Sequence, residues 1–444
     1  MLKQCLSAGF LLVTVIFGVH PVAHAQDILT IDQAIRIGLE NNYSIRIARN
    51  VVAIAENNNS LGNAGFLPQV NVSGNQNTNI TNSRQEYAFT DEVNERTGAQ
   101  SQSLGSNVAL NWTIFDGFRM FVTRQKLNEL EAEGELSARV TIEGALSDII
   151  SAYYTIVREK QTLEVLREAV TISRERLNIA REKLDLGSGS GLETLQARAD
   201  LNSDSSAFVR QEVNVRNAKI AFNELLAREP GTEFTVSNAI PIQQDLALAD
   251  LESRLENSNN QLQRARVNQT IARLNLQQVQ SERYPSVALN AGYNFSRSES
   301  ESGFLSSNRS SGYNFGLTAS FNLFDGFDLN RRVQNAKLDL RTSEYHYRDV
   351  RNTLRSTLQQ IYENYQSNLQ LLGLEQENVE VARQTVEVAQ ERYRLGTITQ
   401  LELREAQRSF IQAESRLVNV QYQGKLAETE LKSLTGQLLR LRTE

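Results

Sequence analysis

The chain of 444 residues has one cysteine, one tryptophan, two methionines, three histidines and five prolines, and each scarcity removes a class of chemistry. Cys5 stands inside an N-terminal segment, residues 1–25, that reads as a secretory signal. Lys3 supplies the positive start, Leu6 to Val19 the apolar run, and Ala23-His24-Ala25 a small-x-small cleavage site. The run is shorter than the ~20 residues a membrane-spanning helix needs, which favours cleavage over a retained anchor. Cys5 also precedes the run, too early to carry a lipid after cleavage. The expected exported chain therefore lacks disulfides, a thiolate nucleophile and cysteine ligands. His20 and His24 leave with the signal, and His346, alone in a polar helical stretch, suits a surface. With no HExxH, no nucleophile–base set and no ligand cluster, an enzyme, a cofactor site and a metal site are all disfavoured. A net charge of −6 offers no basic surface to nucleic acid. After the signal no apolar run is long enough for a helical span, leaving a soluble exported protein or a barrel with a weaker hydropathy signal.

What the chain does contain, it contains twice. Ile114-Phe115-Asp116-Gly117-Phe118 returns as Leu323-Phe324-Asp325-Gly326-Phe327, 209 positions on, and Leu186-Gly187 returns as Leu395-Gly396 at the same offset. Tyr153 with Tyr362, Ala180 with Ala389 and Glu182 with Glu391 fall between them without an insertion. Leu67-Pro68-Gln69-Val70 pairs with Tyr284-Pro285-Ser286-Val287 at 217, so the intervening loops differ in length. A period near 210 is too long for a solenoid unit and marks one module used twice. The expected organisation is a first repeat over 26–229, a linker over 230–247 and a second repeat over 248–444. Each repeat reads as helix, strand, loop, strand, hinge, long helix, Leu-Gly turn, long helix. The strands are expected at about 67–80, 106–115, 284–297 and 312–324, and the helical hairpins at 118–228 and 327–438. Pro68 and Pro285 open strands, Pro230 and Pro241 lie between the repeats, and the long helical runs contain none.

From Tyr313 to Leu323 the chain alternates: Tyr313, Phe315, Leu317, Ala319, Phe321 and Leu323 against Asn314, Gly316, Thr318, Ser320 and Asn322. Val287 to Phe295 and Val108 to Ile114 do the same, and Val70 and Val72 begin a weaker fourth strand. Period-2 strands of ~10 residues with aromatics near their ends, and a small polar opposite face, are a membrane-barrel pattern. The connecting segments Thr81 to Gly105 and Ser298 to Ser311 read as polar loops. Trp112, Phe115, Phe118, Phe324 and Phe327 crowd one end, as an interfacial girdle or as hinge packing. Four strands leave two edges, and no open edge survives in hydrocarbon. Because membrane barrels begin at eight strands, several chains must share one barrel, two chains for eight or three for twelve.

Arg119 to Leu184 and Asn330 to Tyr393 are helical throughout, roughly 100 Å each at ~1.5 Å per residue. Leu163, Leu166, Val170, Ser173, Leu177, Ala180 and Leu184 step by three and four, a heptad seam. Leu403, Ala406, Phe410, Ala413, Leu417, Val420, Ala427, Leu431 and Leu434 form another, with Gly424 between. These are coiled-coil hairpins turning at Leu186 to Gly191 and at Leu395 to Thr399. Gly187-Ser188-Gly189-Ser190-Gly191 lacks the strand and Lys-Ser/Thr end of a phosphate cradle and reads as a turn. A structural coiled-coil protein of the envelope would explain the heptads but not the strands.

In this order, and twice over, the chain resembles the TolC family of outer-membrane factors across nearly its whole exported length. Thr30-Ile31-Asp32-Gln33-Ala34-Ile35 is similar to the family's opening helix, with Thr30 and Gln33 placed for a capping box. Phe-Asp-Gly-Phe resembles its barrel-to-helix hinge, assigned to Asp116, Gly117, Asp325 and Gly326. The resemblance implies a homotrimer in outer-membrane lipid, with a 12-stranded barrel above an α-helical periplasmic tunnel. It implies passive conduction in an efflux or type I secretion system, with an adaptor and an inner-membrane pump of RND or ABC type. The adaptor would dock on the tips at Leu186, Gly187, Leu395, Gly396 and Thr397. It also implies an acidic entrance ring at Glu402 and Glu405, partial in the first repeat, where Glu193 matches but Gln196 stands second. Mutual repulsion in such a ring would raise the pKa of some members. A carboxylate in a helix's first turn, as at Glu193 and Glu402, is equally explained by the helix dipole.

Overall fold

The computed structural model describes residues 28–86, 88–302 and 305–438, and the signal expected at 1–25 lies outside them. The first repeat runs α1 (Ile31–Asn41), α2 (Tyr43–Asn58), β1 (Gln69–Glu86), β2 (Val93–Asp116), α3 (Arg119–Asp185) and α4 (Gly191–Leu225). The second runs α5 (Leu248–Ser258), α6 (Asn260–Ser281), β3 (Ser286–Ser300), β4 (Ser307–Ser320), α7 (Asp328–Arg394) and α8 (Gln400–Leu434). The opening helix of each repeat is in fact two, broken at Asn42 and at Asn259. Each asparagine caps the following helix through its side-chain oxygen, accepting from Ile45 N (3.2 Å) or Leu262 N (2.8 Å). Its amide donates to the orphan carbonyl closing the repeat's last helix, Leu225 O (2.8 Å) or Leu434 O (2.9 Å). One buried residue thus satisfies two helix ends. The capping box of Thr30 and Gln33 is present at the start of α1.

The four strands form one antiparallel sheet in the order β1-β2-β3-β4. The expected loops are largely strand: β1 continues to Glu86, β2 starts at Val93, β3 reaches Ser300 and β4 starts at Ser307. These extensions are polar on both faces, so they carry no period-2 signal, and backbone pairing alone holds them. Val93 to Gln100 rise above the last β2–β3 pair, Ser101 with Ser300. A bulge lies where the hairpin rises: the register shifts between Thr81 and Ser83, Gly98 takes φ +69°, and its N–H donates to Asn82 Oδ1 at 2.7 Å. At the other end β4 stops at Ser320, where its partner begins at Ser286, short of the expected 324.

α3 and α7 have 67 residues each, roughly 100 Å. Tyr153, Ile149, Val157, Phe222 and Leu226 form the largest apolar cluster, under α1. Leu255, Leu262, Leu358, Tyr365 and Leu431 form its counterpart under α5. The inter-repeat segment crosses this layer as a strap. Ile28 bridges Thr235, Phe234 and Val236 are buried, Lys160 Nζ donates to Val236 O (3.3 Å), and Tyr365 OH donates to Gln243 O. Among the described residues no helix is long and apolar enough to cross a membrane.

Candidate functional site

The sheet has two chemically distinct faces. Val70, Val108, Leu110, Tyr293, Tyr313 and Phe315 share the apolar one, with Phe315 84 % and Tyr313 85 % exposed. Asn290 Nδ2 donates to Thr318 Oγ1 (3.0 Å) and Asn294 Nδ2 to Asn314 Oδ1 (2.7 Å) on the other. Fully exposed aromatics on one face and amide ladders on the other suit a wall with lipid on one side and water on the other. Trp112 closes the apolar face near the helices, its indole N–H donating to Phe66 O at 2.9 Å.

At the hinges, two consecutive residues take the left-handed conformation: Gly117 (φ +68°) with Phe118 (φ +68°), and Gly326 (φ +67°) with Phe327 (φ +66°). The Asp of each motif caps the long helix, Asp116 Oδ1 accepting from Met120 N (3.1 Å) and Asp325 Oδ2 from Leu329 N (2.8 Å). The phenylalanines stack edge-on, Phe115 on Phe118 at 5.2 Å and Phe324 on Phe327 at 5.4 Å. This stacking holds a non-glycine residue where it is disfavoured by ~1–2 kcal/mol. The motif is therefore a helix cap, a double turn and an aromatic clamp in four residues.

The tips end both long helices by one device. Gly187 (φ +75°) donates to Leu184 O (3.0 Å) and Ser188 N to Lys183 O (2.9 Å); Gly396 (φ +76°) donates to Tyr393 O (3.0 Å) and Thr397 N to Arg392 O (2.9 Å). Leu186 is 82 % and Leu395 76 % exposed, so each tip presents a bare leucine. Beyond them Ser190 caps Glu193 N (3.2 Å) and Thr399 caps Glu402 N (3.3 Å). Glu402 returns the bond, its Oε2 accepting from Thr399 N at 2.7 Å. The Thr399 backbone N–H, then its hydroxyl, then the Arg392 charge hold the Glu402 carboxyl below the usual range. Within one chain the cap sets this direction. Glu405 is exposed one turn on. Glu193 is half-buried beside Tyr393, whose hydroxyl is pushed up by burial first and then by the Glu193 charge.

A polar network deeper between the hairpins escaped the sequence reading. Arg176, wholly buried, pairs with Asp200 (2.6 Å); Arg404 of α8 pairs with Asp204 of α4 (2.8 Å). Asp204 also accepts from Ser173 Oγ, and Gln407 Nε2 donates to Ser173 Oγ (2.8 Å) and Ala169 O (3.0 Å). Lys183 Nζ reaches the Tyr393 carbonyl and lies 3.9 Å over its ring. These contacts tie α8 and α7 to α3 and α4, tip to mid-helix. Ser173, a polar residue on an apolar seam, was the one signal of it in the sequence.

Both flanks of the chain are open. Near the sheet the helices pack in the order α2, α3, α6, α7, and further away α4, α3, α8, α7. On the outer edge Leu374, Val381 and Val388 of α7 and its C-cap Leu395 repeat every seven residues and are all exposed. On the opposite edge Leu192, Leu195, Val209, Val213 and Ile220 of α4 keep the same heptad phase, also exposed. Tyr43, Ile47, Val51 and Ile54 continue the stripe on α2. Each flank presents an exposed heptad stripe beside an edge strand of the sheet.

A strand–hinge–helix module used twice, with a lipid-type sheet face and exposed heptad stripes on both flanks, defines a channel-type protein of the envelope. The chain belongs to the outer membrane efflux protein family, whose model matches residues 34–228 and 251–437. It is an outer-membrane efflux channel protein, and the alternative of a non-channel coiled-coil scaffold has no support. Outer membrane protein TolC of Vibrio cholerae is 20% identical over 385 residues, 84% of this chain and 83% of that protein. TolC of Escherichia coli is 19% identical over 368 residues, 80% and 73% of the two chains. Among solved structures the fold is similar to CusC (TM-score 0.76, 17% identity, 93% of each chain). It is also similar to the Campylobacter jejuni CmeC channel (0.76, 17%, 92% and 85%) and the open state of Neisseria gonorrhoeae MtrE (0.72, 16%, 92% and 89%).

Proposed function

We propose that three copies of this chain close into one conduit, a twelve-stranded barrel continued by a helical tunnel through the periplasm. The observation that carries this is the pair of open flanks, where β4 and the α7 seam meet β1 and the α2 and α4 seams of the next copy. Closure removes the edges that hydrocarbon forbids and covers the exposed heptads. Three copies, rather than two, rest on the family. Detergent-solubilised protein should have the mass of a trimer and conduct in planar bilayers; a monodisperse monomer without conductance would end this reading.

The conduit works with a periplasmic adaptor at the tips and an inner-membrane pump of RND or ABC type that supplies energy and selects substrate. If Gly396→Trp left export by the full complex intact, docking at the tip would be wrong. Glu402 and Glu405, with Glu193, form the acidic constriction at the entrance. The cap bond from Thr399 favours the charged form of Glu402. Glu402→Gln with Glu405→Gln should lower cation selectivity in single-channel recordings, and unchanged reversal potentials would sink the constriction.

A further inference from the structure

The apolar face of the sheet ends abruptly at its hairpin end. On β3 the residues sharing it run Val287, Leu289, Ala291, Tyr293, Phe295 and then Arg297; on β4 they run Ala319, Leu317, Phe315, Tyr313, Ser311 and then Arg309. Arg297 and Arg309 are direct cross-strand partners. From the Val287 pair to the Phe295 pair is eight residues, roughly 27 Å along the strand and about 20 Å once tilted as barrel strands are. Both guanidinium groups therefore stand one rung above the apolar band, on its apolar face, at the end away from the helices.

Like charges directly opposite each other on a sheet repel. Arg297 donates through both Nε (3.0 Å) and Nη2 (2.5 Å) to Glu299 Oε1 two residues on, which leaves the remaining donors of its fork free. Among the described residues Arg309 has no carboxylate within ion-pair distance, and its guanidinium lies 5.3 Å over the Phe295 ring. An arginine laid on an aromatic at the band's rim, cross-strand from a second arginine, suits a phosphate in charge and donor chemistry.

We propose that Arg297 and Arg309 bind a phosphate of the glycolipid headgroups in the outer leaflet, once per chain around the barrel. This rests on the closed conduit argued above. The test uses the full-length oligomer in mild detergent. Native mass spectrometry would follow retention of bisphosphorylated lipid A, its dephosphorylated form and phosphatidylglycerol. Wild-type protein should retain the bisphosphorylated form roughly thirty-fold better than the dephosphorylated one, and Arg297→Gln with Arg309→Gln should erase the difference. Equal retention of both lipid A forms by wild type overturns the proposal, as does unchanged discrimination in the double variant. Equal retention of phosphatidylglycerol overturns the glycolipid as occupant. If the double variant does not assemble, the wild-type comparison decides alone. A wild-type chain that forms no oligomer indicts the conduit instead.

Discussion

The two repeats use one set of parts in unequal surroundings, and the hinges show how far the environment decides. A β-carbon on Gly117 would sit 2.3 Å from Ser281 O and 2.8 Å from Tyr284 Cβ, whereas one on Gly326 would meet nothing within 4 Å. Both glycines have the same φ. Within one chain, glycine is needed for dihedral and for space in the first repeat, and for dihedral alone in the second. Gly117→Ala should therefore cost about 4 kcal/mol, left-handed strain plus a backbone clash. Gly326→Ala should cost only about 1–2 kcal/mol. Urea unfolding in detergent, followed by circular dichroism, measures both; equal losses would break the distinction.

The hairpin seams differ more in chemistry. Ser173 and Asp204 of the first repeat stand where Ala382 and Ala413 stand in the second, at the shared offset of 209. The alanines pack against Phe410 and Val386, while the polar pair holds Gln407 and Arg404 of the other hairpin. Asp204→Ala leaves Arg404 only its longer contact with Asp200 (3.7 Å), removes the acceptor of Ser173 Oγ, and should cost about 3 kcal/mol. Adding Arg404→Leu and Ser173→Ala should recover most of it, because an apolar slot is what the second repeat already uses there. No recovery in the triple variant would mean that the network has no apolar equivalent.

Mid-helix, the contrast is between Glu143, 6% exposed, and its counterpart Asn352, which lies at the surface. Burial pushes the Glu143 carboxyl up to about 7, against opposing help from Asn260 and Arg139, and its Oε1 has no partner. A raised folded pKa means that the folded state binds the proton more tightly. Stability is then highest below the ordinary carboxylate range and is lost as pH rises towards about 7. Glu143→Gln should stabilise by up to about 3 kcal/mol above pH 7 and by little near pH 4. A gain independent of pH would assign the effect to packing.

The sequence made visible those features that repeat along one dimension. Leu177, Ala180, Leu403 and Phe410 announce their seam by spacing, and Tyr313 to Ala319 their strand by alternation. The strand extensions from Thr81 to Glu86 and Val93 to Gly105 alternate in nothing but backbone bonding, so composition read them as loops. Asn42 and Asn259 look ordinary within helical runs, and only the carbonyls they meet, at Leu225 and Leu434, reveal them as breaks. The network joins Arg404 to Asp204 across 200 positions, a pairing that no local pattern encodes. At the second tip the reverse holds: the family resemblance picked out Glu402, while its cap bond to Thr399 was legible in the local sequence.

The smallest difference lies where each repeat ends. Gly436 (φ +67°) closes α8, with Gln437 N donating to Lys432 O at 2.9 Å. At the matching position Ala227 takes φ +51° and closes α4, with Arg228 N donating to Asn223 O at 2.9 Å. The hydrogen bonds are the same, but alanine carries a β-carbon that the left-handed region disfavours, and glycine does not. Ala227→Gly should therefore stabilise by about 1 kcal/mol, less the extra freedom glycine gives the unfolded chain. Gly436→Ala should destabilise by more than that gain, since Gly436 also approaches the Ser258 carbonyl, 2.8 Å from where a β-carbon would stand. Paired urea midpoints would decide it: a loss in Ala227→Gly would mean that unfolded-state entropy outweighs strain at this turn.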